Sequence, residues 1–202
     1  MASNSQTNIC NLALGQIGVG RIADIDGVSQ VERDCKAVYN DARDEVLADF
    51  DWAFARAQKV LTKLLAPPEF GYISAFQLPA DIISVRNINH YILVHAEYQM
   101  SKAETIRPKY EIFGDKLYCN LEECQLVYTR RVEDPVLYPP KFVTALANRL
   151  SAVLANSVKK NAEMSLKWWD FYYQSIRMNE EMSNKGEDPT QHELNRYIEA
   201  RL

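Results

Sequence analysis

The strongest pattern of hydrophobic and polar positions lies in residues 27–53. Its apolar positions recur at intervals of three or four residues: Val31, Cys35, Val38, Ala42, Val46 and Phe50. This spacing places them on one face of a helix. The other face is polar and is predicted to remain in water: Glu32, Arg33, Lys36, Asn40, Arg43, Asp44 and Asp49. Ser29 with Glu32 three residues later fits an N-terminal capping box. The run therefore predicts an amphipathic helix.

Helical spacing recurs at both ends of the chain. It predicts a first helix over 5–17, with Gly18 as a left-handed C-cap. After Pro139 and Pro140, which suit a first helical turn, it predicts helices over 140–158 and 163–184 that form an antiparallel hairpin. A short helix is expected over 190–202. The stretch 53–65 is interpreted as helical or irregular.

The pattern changes between Pro67 and residue 132. The residues there favour extended structure, with strands expected over 82–88, 91–98 and 125–130. The segments 110–113 and 116–119, separated by Gly114 and Asp115, predict a β-hairpin. The middle of the chain is therefore expected to hold a small β region.

Together these elements predict an α+β protein that is mainly α, with a small β insert. The fold class is a helical bundle with N-terminal helices, a central region of strands and a hairpin, and a C-terminal αα-hairpin followed by a short arm. The corresponding segments are 1–66 for the N-terminal helical part, 67–134 for the β-rich insert, 135–185 for the hairpin that completes the bundle, and 186–202 for the arm.

Composition narrows the functional classes. The chain has 202 residues, of which 47% are hydrophobic, which is enough for a buried core. The formal net charge of −4 argues against a protein built to grip nucleic acid. No apolar run reaches the ~18 residues needed to cross a bilayer, so no membrane partner is expected. The four scattered cysteines predict reduced thiols and synthesis in a cytoplasm.

The candidate chemical motifs all fail on spacing. The glycines of residues 15–20 follow a helix and do not have the GxGxxG order of a phosphate loop. Residues 24–27 suggest a calcium loop, but the glycine comes too early and the final glutamate is missing. His90, His95 and His192 are far apart and lack the orienting partners of a triad. The sequence therefore predicts no catalytic residue, no cofactor and no metal.

Two groups of side chains are candidate partner contacts instead. Residues 168–173 contain five aromatic residues in six positions, too many for one partner within the chain to bury. Trp and Tyr are favoured anchors of protein interfaces. The C-terminal arm has its own apolar strip, predicted to dock on a partner or an adjacent subunit. The predicted contacts are Trp168, Trp169, Tyr172, Tyr173, Leu194, Tyr197 and Ile198.

A series of short segments carries a resemblance to a known family. The N-terminal segment 8–18, the connector 21–26, the helix around Cys35 to Val46 and the sequence Asp51-Trp-Ala-Phe-Ala55 occur in this order. They are followed by residues 70–72 and 76–79, the strand exit at 128–135 and the two C-terminal helices. Taken together, over nearly the whole chain, these segments resemble phage tail tubular protein A.

The resemblance implies a structural role in a virus particle. Members of that family are head-to-tail adaptors, also called gatekeepers or connectors. The resemblance implies a dodecameric ring under the portal protein, contact with a tail nozzle protein similar to tail tubular protein B, and location in the tail or neck of the virion. Double-stranded DNA would pass through its channel without sequence-specific binding. The family offers no catalytic motif to transfer to this chain.

Two other classes of function stay open on the sequence alone. The first is a virion-associated hydrolase of peptidoglycan, which needs two carboxyl groups about 5–10 Å apart around a cleft. The second is a non-viral helical adaptor of the host, which would bind no portal.

Overall fold

The computed structural model describes residues 5–65, 68, 71–89 and 108–186 of the chain. It contains four α-helices and six β-strands in these ranges: α1 Gln6–Gln16, α2 Gln30–Asp49, β1 Arg56–Val60, β2 Ser74–Gln77, β3 Ile82–Asn89, β4 Tyr110–Phe113, β5 Lys116–Cys119, β6 Gln125–Arg130, α3 Pro140–Ser157 and α4 Ala162–Gly186. The strand predicted over 91–98 and the helix predicted over 190–202 lie outside the described residues.

The described residues divide into two compact units. The helical unit comprises 1–50 and 135–202, and the β unit comprises 51–134. The β unit is contiguous in sequence, whereas the helical unit is formed by two separate parts of the chain.

The predicted fold class was wrong in its balance of helix and strand. The structure is about 49% helical and 20% strand, with two three-stranded antiparallel sheets, and is therefore an α+β protein. The prediction missed β1 and treated 53–65 as helical or irregular, because Arg56–Val60 has no apolar alternation. This strand forms through tertiary pairing with β6, which overrides its weak local preference.

Helix α3 is the centre of the helical unit and packs against α1, α2 and α4. Its buried side chains lie on more than one face, as expected for a helix surrounded by others. Ser151 on α3 donates a 3.1 Å hydrogen bond to the carbonyl of Ala13 on α1. Ser165 on α4 donates a 2.6 Å hydrogen bond to the carbonyl of Ala152. The predicted antiparallel pair of C-terminal helices is confirmed.

Both N-terminal helices have the ends that the sequence predicted. Ser29 and Glu32 form the capping box of α2. Helix α1 ends in a Schellman motif, in which Gly18 has φ +69° and the N–H of Val19 bonds to the carbonyl of Leu14 at 2.9 Å. Gly18 is therefore the left-handed cap, and the glycine-rich segment after α1 serves as a helix end.

One residue of the predicted polar face of α2 is buried. Arg43 is only 4% exposed, whereas the pattern placed it in water. Its guanidinium donates to the carboxylate of Asp44 at 2.8 Å and to the side-chain oxygen of Asn40 at 3.2 Å. A buried charge is tolerated when it is paired in this way. The predicted exposure of Arg43 was wrong because helical spacing gives the direction of a side chain around the helix axis. It does not show which other elements pack on that side.

The two sheets of the β unit share one core. The strand order is β1-β6-β3 in the first sheet and β2-β5-β4 in the second. Apolar side chains from both sheets meet between them: Leu61, Phe76, Leu78, Ile88, Leu117, Cys119, Cys124, Leu126 and Tyr128. The predicted hairpin is confirmed as β4 and β5. Its two-residue turn has Gly114 at φ +59°, the arrangement of a type II′ turn.

Candidate functional site

Helix α4 distributes its aromatic residues between the core and the surface. Tyr172 is 1% exposed and lies in the core of the helical unit. Its hydroxyl donates a 2.5 Å hydrogen bond to Oδ2 of Asp49, the last residue of α2. Burial, with the Asp49 carboxylate as the next cause, raises the pKa of Tyr172 well above its ordinary value. Tyr172 is therefore a core residue of this chain. A partner could contact only the more exposed residues around it on α4.

The Trp169 ring on α4 contacts both α3 and a neighbouring ring on its own helix. The Arg149 guanidinium lies over the Trp169 ring, 4.1 Å from its centroid, in a cation–π arrangement. On the same helix as Trp169, Tyr173 stacks on that ring, with centroids 5.6 Å apart and an interplanar angle of 23°. Tyr173 is 52% exposed. The exposed end of this contact is thus a tyrosine ring stacked on a tryptophan ring.

Arg149 is fixed from a second side by an ion pair with Glu45 on α2. Its Nη1 atom has no hydrogen-bond acceptor in the described part of the chain. The face of the Trp169 ring supplies the interaction that a buried guanidinium needs. Three helices therefore contribute to the position of one surface residue pair, Trp169 and Tyr173.

A second aromatic pair lies on the same helix, on the other side of the buried Tyr172. Trp168 is half-buried, and its ring centroid is 5.2 Å from that of the more exposed Phe171. The Lys167 ammonium is 5.8 Å from the Phe171 centroid. Met178 follows Phe171 by seven residues and is also exposed, which places it on the same side of the helix. We call Trp168, Trp169, Phe171 and Tyr173 the aromatic surface of α4.

The predicted contact residues fall into three groups: surface residues, a core residue and residues outside the described part of the chain. Trp168, Trp169 and Tyr173 reach the aromatic surface, whereas Tyr172 faces the core. The arm residues lie outside the described residues, and their docking role stays a prediction: Leu194, Tyr197 and Ile198. Phe171 lies in the aromatic segment 168–173 but is not among the predicted contacts, and the sequence pattern gives no signal for Arg149, since its contact with Trp169 depends on how α3 packs on α4.

The β unit offers a shallow groove with a volume of about 170 Å³. It lies where the edge strand β1 runs beside β6, between Gln58–Val60 and Gln125–Val127. Its walls combine amide, aliphatic and lysine side chains. None of these groups has the nucleophile and base arrangement that covalent chemistry requires.

The described residues form neither a metal site nor a membrane-spanning helix. Within residues 5–65, 68, 71–89 and 108–186, no group of three or more His, Cys, Asp or Glu side chains is placed to hold a metal ion. Among the described helices, none combines the length and the apolar character needed to cross a membrane.

Comparison with known proteins identifies no family for this chain. No family model matches the sequence. No curated protein matches it significantly.

Proposed function

We propose that this chain is a head-to-tail adaptor of a virus particle. In this proposal copies of the chain form a ring under the portal protein, join the portal to a tail nozzle protein and line the channel for DNA. The aromatic surface of α4 is the main contact between the chain and its neighbours in that assembly. The protein carries no chemistry of its own in this role.

The sequence resemblance to phage tail tubular protein A supports this function. It extends over nearly the whole chain and depends on the order of many short segments, from 8–18 at the N-terminus to the two C-terminal helices. The α3 and α4 hairpin that belongs to this order is the element that bears the aromatic surface.

The observation that carries the proposal is the fixed position of an exposed aromatic pair. Tyr173 and Trp169 are stacked before any partner binds, and the Arg149 guanidinium lies over the Trp169 ring. Fixing side chains in advance reduces the entropy lost on association. Tyr, Trp and Arg are also the residues that dominate measured binding energies in protein interfaces.

The charge of the chain is compatible with DNA that moves past it. Lys and Arg number 23 against 27 Asp and Glu, so the net charge is −4. Affinity for DNA comes mainly from cationic groups that neutralise phosphates. A surplus of carboxylates therefore favours a channel that lets DNA slide over one that holds it.

The experiment is to measure the mass of the purified protein by light scattering on a sizing column, alone and with its cognate portal ring. We expect one large, discrete complex with the portal. Tyr173→Ala should weaken this complex at least tenfold, which corresponds to about 1.4 kcal/mol or more for an interface anchor. Phe113→Ala is the matched control, since Phe113 on β4 is 50% exposed, close to the 52% of Tyr173.

Either of two results would overturn the proposal. The first is a protein that stays a monomer with the portal at micromolar concentration, which would favour a host adaptor. The second is lysis of peptidoglycan in a turbidity assay, which would favour a hydrolase. Equal weakening by Tyr173→Ala and Phe113→Ala would remove the aromatic surface of α4 from the interface and leave the adaptor role intact.

A further inference from the structure

The four cysteines of the chain form two pairs of neighbouring thiols. Cys119 and Cys124 are hydrogen-bonded in the β unit, and Cys10 and Cys35 are hydrogen-bonded in the helical unit. All four are buried and carry free thiols. Each pair therefore holds two sulfur atoms together without a bond between them, and the two pairs can be compared within one molecule.

The pair in the β unit lies where the chain passes from one sheet to the other. Cys119 ends β5 and is paired with Ser74 on one side and Tyr110 on the other, so its position in the second sheet is fixed. Cys124 precedes β6 in the first sheet, and its carbonyl accepts the N–H of Leu61 at 2.9 Å. Both cysteines belong to the core between the sheets. A bond between their sulfurs would tie one sheet to the other.

The surroundings of Cys119 favour its thiolate. The Cys124 thiol donates a hydrogen bond to Cys119, the Leu121 N–H adds a second donor, and the Lys63 ammonium adds a positive charge. Against the opposing effect of burial, these groups lower the pKa of Cys119 to about 7. The same contact and burial raise the pKa of Cys124. The contact between the two thiols is mutual, but the Leu121 N–H and the Lys63 ammonium act on Cys119, which makes Cys119 the nucleophile of the pair and Cys124 the thiol that resolves it.

The pair in the helical unit has the opposite electrostatic surroundings. The Cys10 thiol lowers the pKa of Cys35 through its hydrogen bond, but burial and the carboxylates of Asp34 and Glu32 act against it. The pKa of Cys10 itself is raised, first by its contact with Cys35. Carboxylates disfavour a nearby thiolate, whereas the Lys63 ammonium favours one. The helical pair is therefore a built-in control for the β pair.

A short surface loop, residues 120–123, joins Cys119 to Cys124. Asn120, Glu122 and Glu123 are exposed, and Leu121 is the residue of the loop that packs against the core. Local opening of such a loop costs less than global unfolding. Opening of this loop is the route by which a small neutral oxidant would reach Cys119, which is fully buried in the closed structure.

We propose that Cys119 and Cys124 form an oxidation site that closes to a disulfide between the two sheets. The oxidant is a hydroperoxide. The Cys119 thiolate attacks one peroxide oxygen, an S–O bond forms, the O–O bond breaks, and the leaving hydroxide takes up a proton to become water. The sulfur of Cys124 then attacks the Cys119 sulfenic acid: the S–S bond forms, the S–O bond breaks, and the departing oxygen leaves as water with the thiol proton. Two thiols and one hydrogen peroxide give one disulfide and two waters.

The test treats the reduced, folded full-length chain with hydrogen peroxide, blocks the remaining thiols and digests with trypsin. Residues 117–130 form one tryptic peptide that contains both Cys119 and Cys124, so their disulfide appears as a single unblocked peptide lighter by two hydrogen atoms. A bond between Cys10 and Cys35 instead links two separate peptides. We expect the first product to form about tenfold faster than the second, from the larger thiolate fraction of Cys119.

Two variants test the roles of the neighbouring groups. Cys124→Ser should stop disulfide formation and leave a Cys119 sulfenic acid that dimedone traps. Lys63→Gln should slow oxidation several-fold, whereas Lys59→Gln, an exposed lysine on β1, should leave the rate unchanged. The Lys63 comparison keeps the test decisive if the buried serine prevents folding.

Three results would overturn the proposal. One is an equal or faster reaction of Cys10 with Cys35. Another is a Cys119 and Cys124 pair that stays fully reduced in the folded chain under peroxide. The third is equal rates for Lys63→Gln and Lys59→Gln, which would remove the electrostatic activation of Cys119.

Discussion

The carboxylate of Glu32 occupies the space that a side chain at Gly27 would need. A Cβ at Gly27 would overlap both carboxylate oxygens. Glu32 stays in this place because its Oε2 accepts the Ser29 N–H at 2.8 Å, one half of the capping box of α2. Gly27 in the connector therefore leaves the space in which the Glu32 side chain caps α2.

Replacement of Gly27 by alanine should weaken the cap. We expect Gly27→Ala to lower the urea midpoint of unfolding, because the flexible Glu32 side chain must move away and release Ser29. In a Glu32→Ala background the same replacement should have little further effect, since the two sites share one interaction. Gly20→Ala is the control, because a Cβ there meets nothing within 4 Å. Equal losses at Gly20 and Gly27 would contradict the prediction.

The cap should also make stability depend on pH. The hydrogen bonds from Ser29 lower the pKa of Glu32 below its ordinary value. Since the folded pKa is depressed, this stabilisation is complete above the unfolded pKa of about 4.3 and is lost as pH falls through the folded pKa. Glu32→Gln should therefore have a lower urea midpoint than the wild type at neutral pH, and the difference should shrink towards pH 3 or so. Glu163→Gln, in the first turn of α4, is the control. A difference that is constant with pH would refute this origin.

Loss of the Tyr172 hydroxyl should lower the free energy of unfolding more than loss of the exposed Tyr173 hydroxyl. Tyr172→Phe removes the hydroxyl of a buried side chain and with it a hydrogen bond to the ionised carboxylate of Asp49. We expect a loss of about 1–3 kcal/mol in the free energy of unfolding. Tyr173→Phe, one residue further on the exposed side, should change it by no more than about 0.5 kcal/mol. Chemical denaturation of the two variants makes the comparison, and similar values for both would contradict the structure.

The contact between Arg149 and Trp169 should appear as a coupling energy. Arg149→Gln, Trp169→Leu and the double variant form a thermodynamic cycle for the cation–π pair. We expect a coupling of about 0.5–2 kcal/mol, since the guanidinium is largely withdrawn from water. Urea unfolding of the four proteins supplies the cycle. Strictly additive losses would mean that the ring and the guanidinium do not stabilise one another.

The sequence predicted elements whose cause is local. The cap at Ser29, the Gly18 end of α1, the hairpin around Gly114 and the strand 125–130 follow from spacing and turn chemistry, and all are confirmed. It failed where the cause is a distant neighbour. Strand β1 exists because Arg56–Val60 pairs with β6, which is far away in the sequence.

The candidate site shows the same limit at the level of side chains. The aromatic segment of α4 was visible in the sequence, but helical spacing alone did not separate Tyr172, which is buried, from Tyr173, which is exposed. That difference depends on Asp49 of α2 and Arg149 of α3, which meet α4 only in the folded chain. Composition therefore located the surface, and tertiary packing decided which rings belong to it.

The division of the helical unit by the β unit bears on the order of events during synthesis. A ribosome releases α1 and α2 first, but the central helix α3 that covers them follows only after all of 51–134 has been made. The β unit is uninterrupted and has its own core, so it can fold as soon as β6 has emerged. Until α3 has been synthesised, the apolar faces of α1 and α2 are exposed. A chaperone that binds exposed apolar surface would therefore act mainly during this interval.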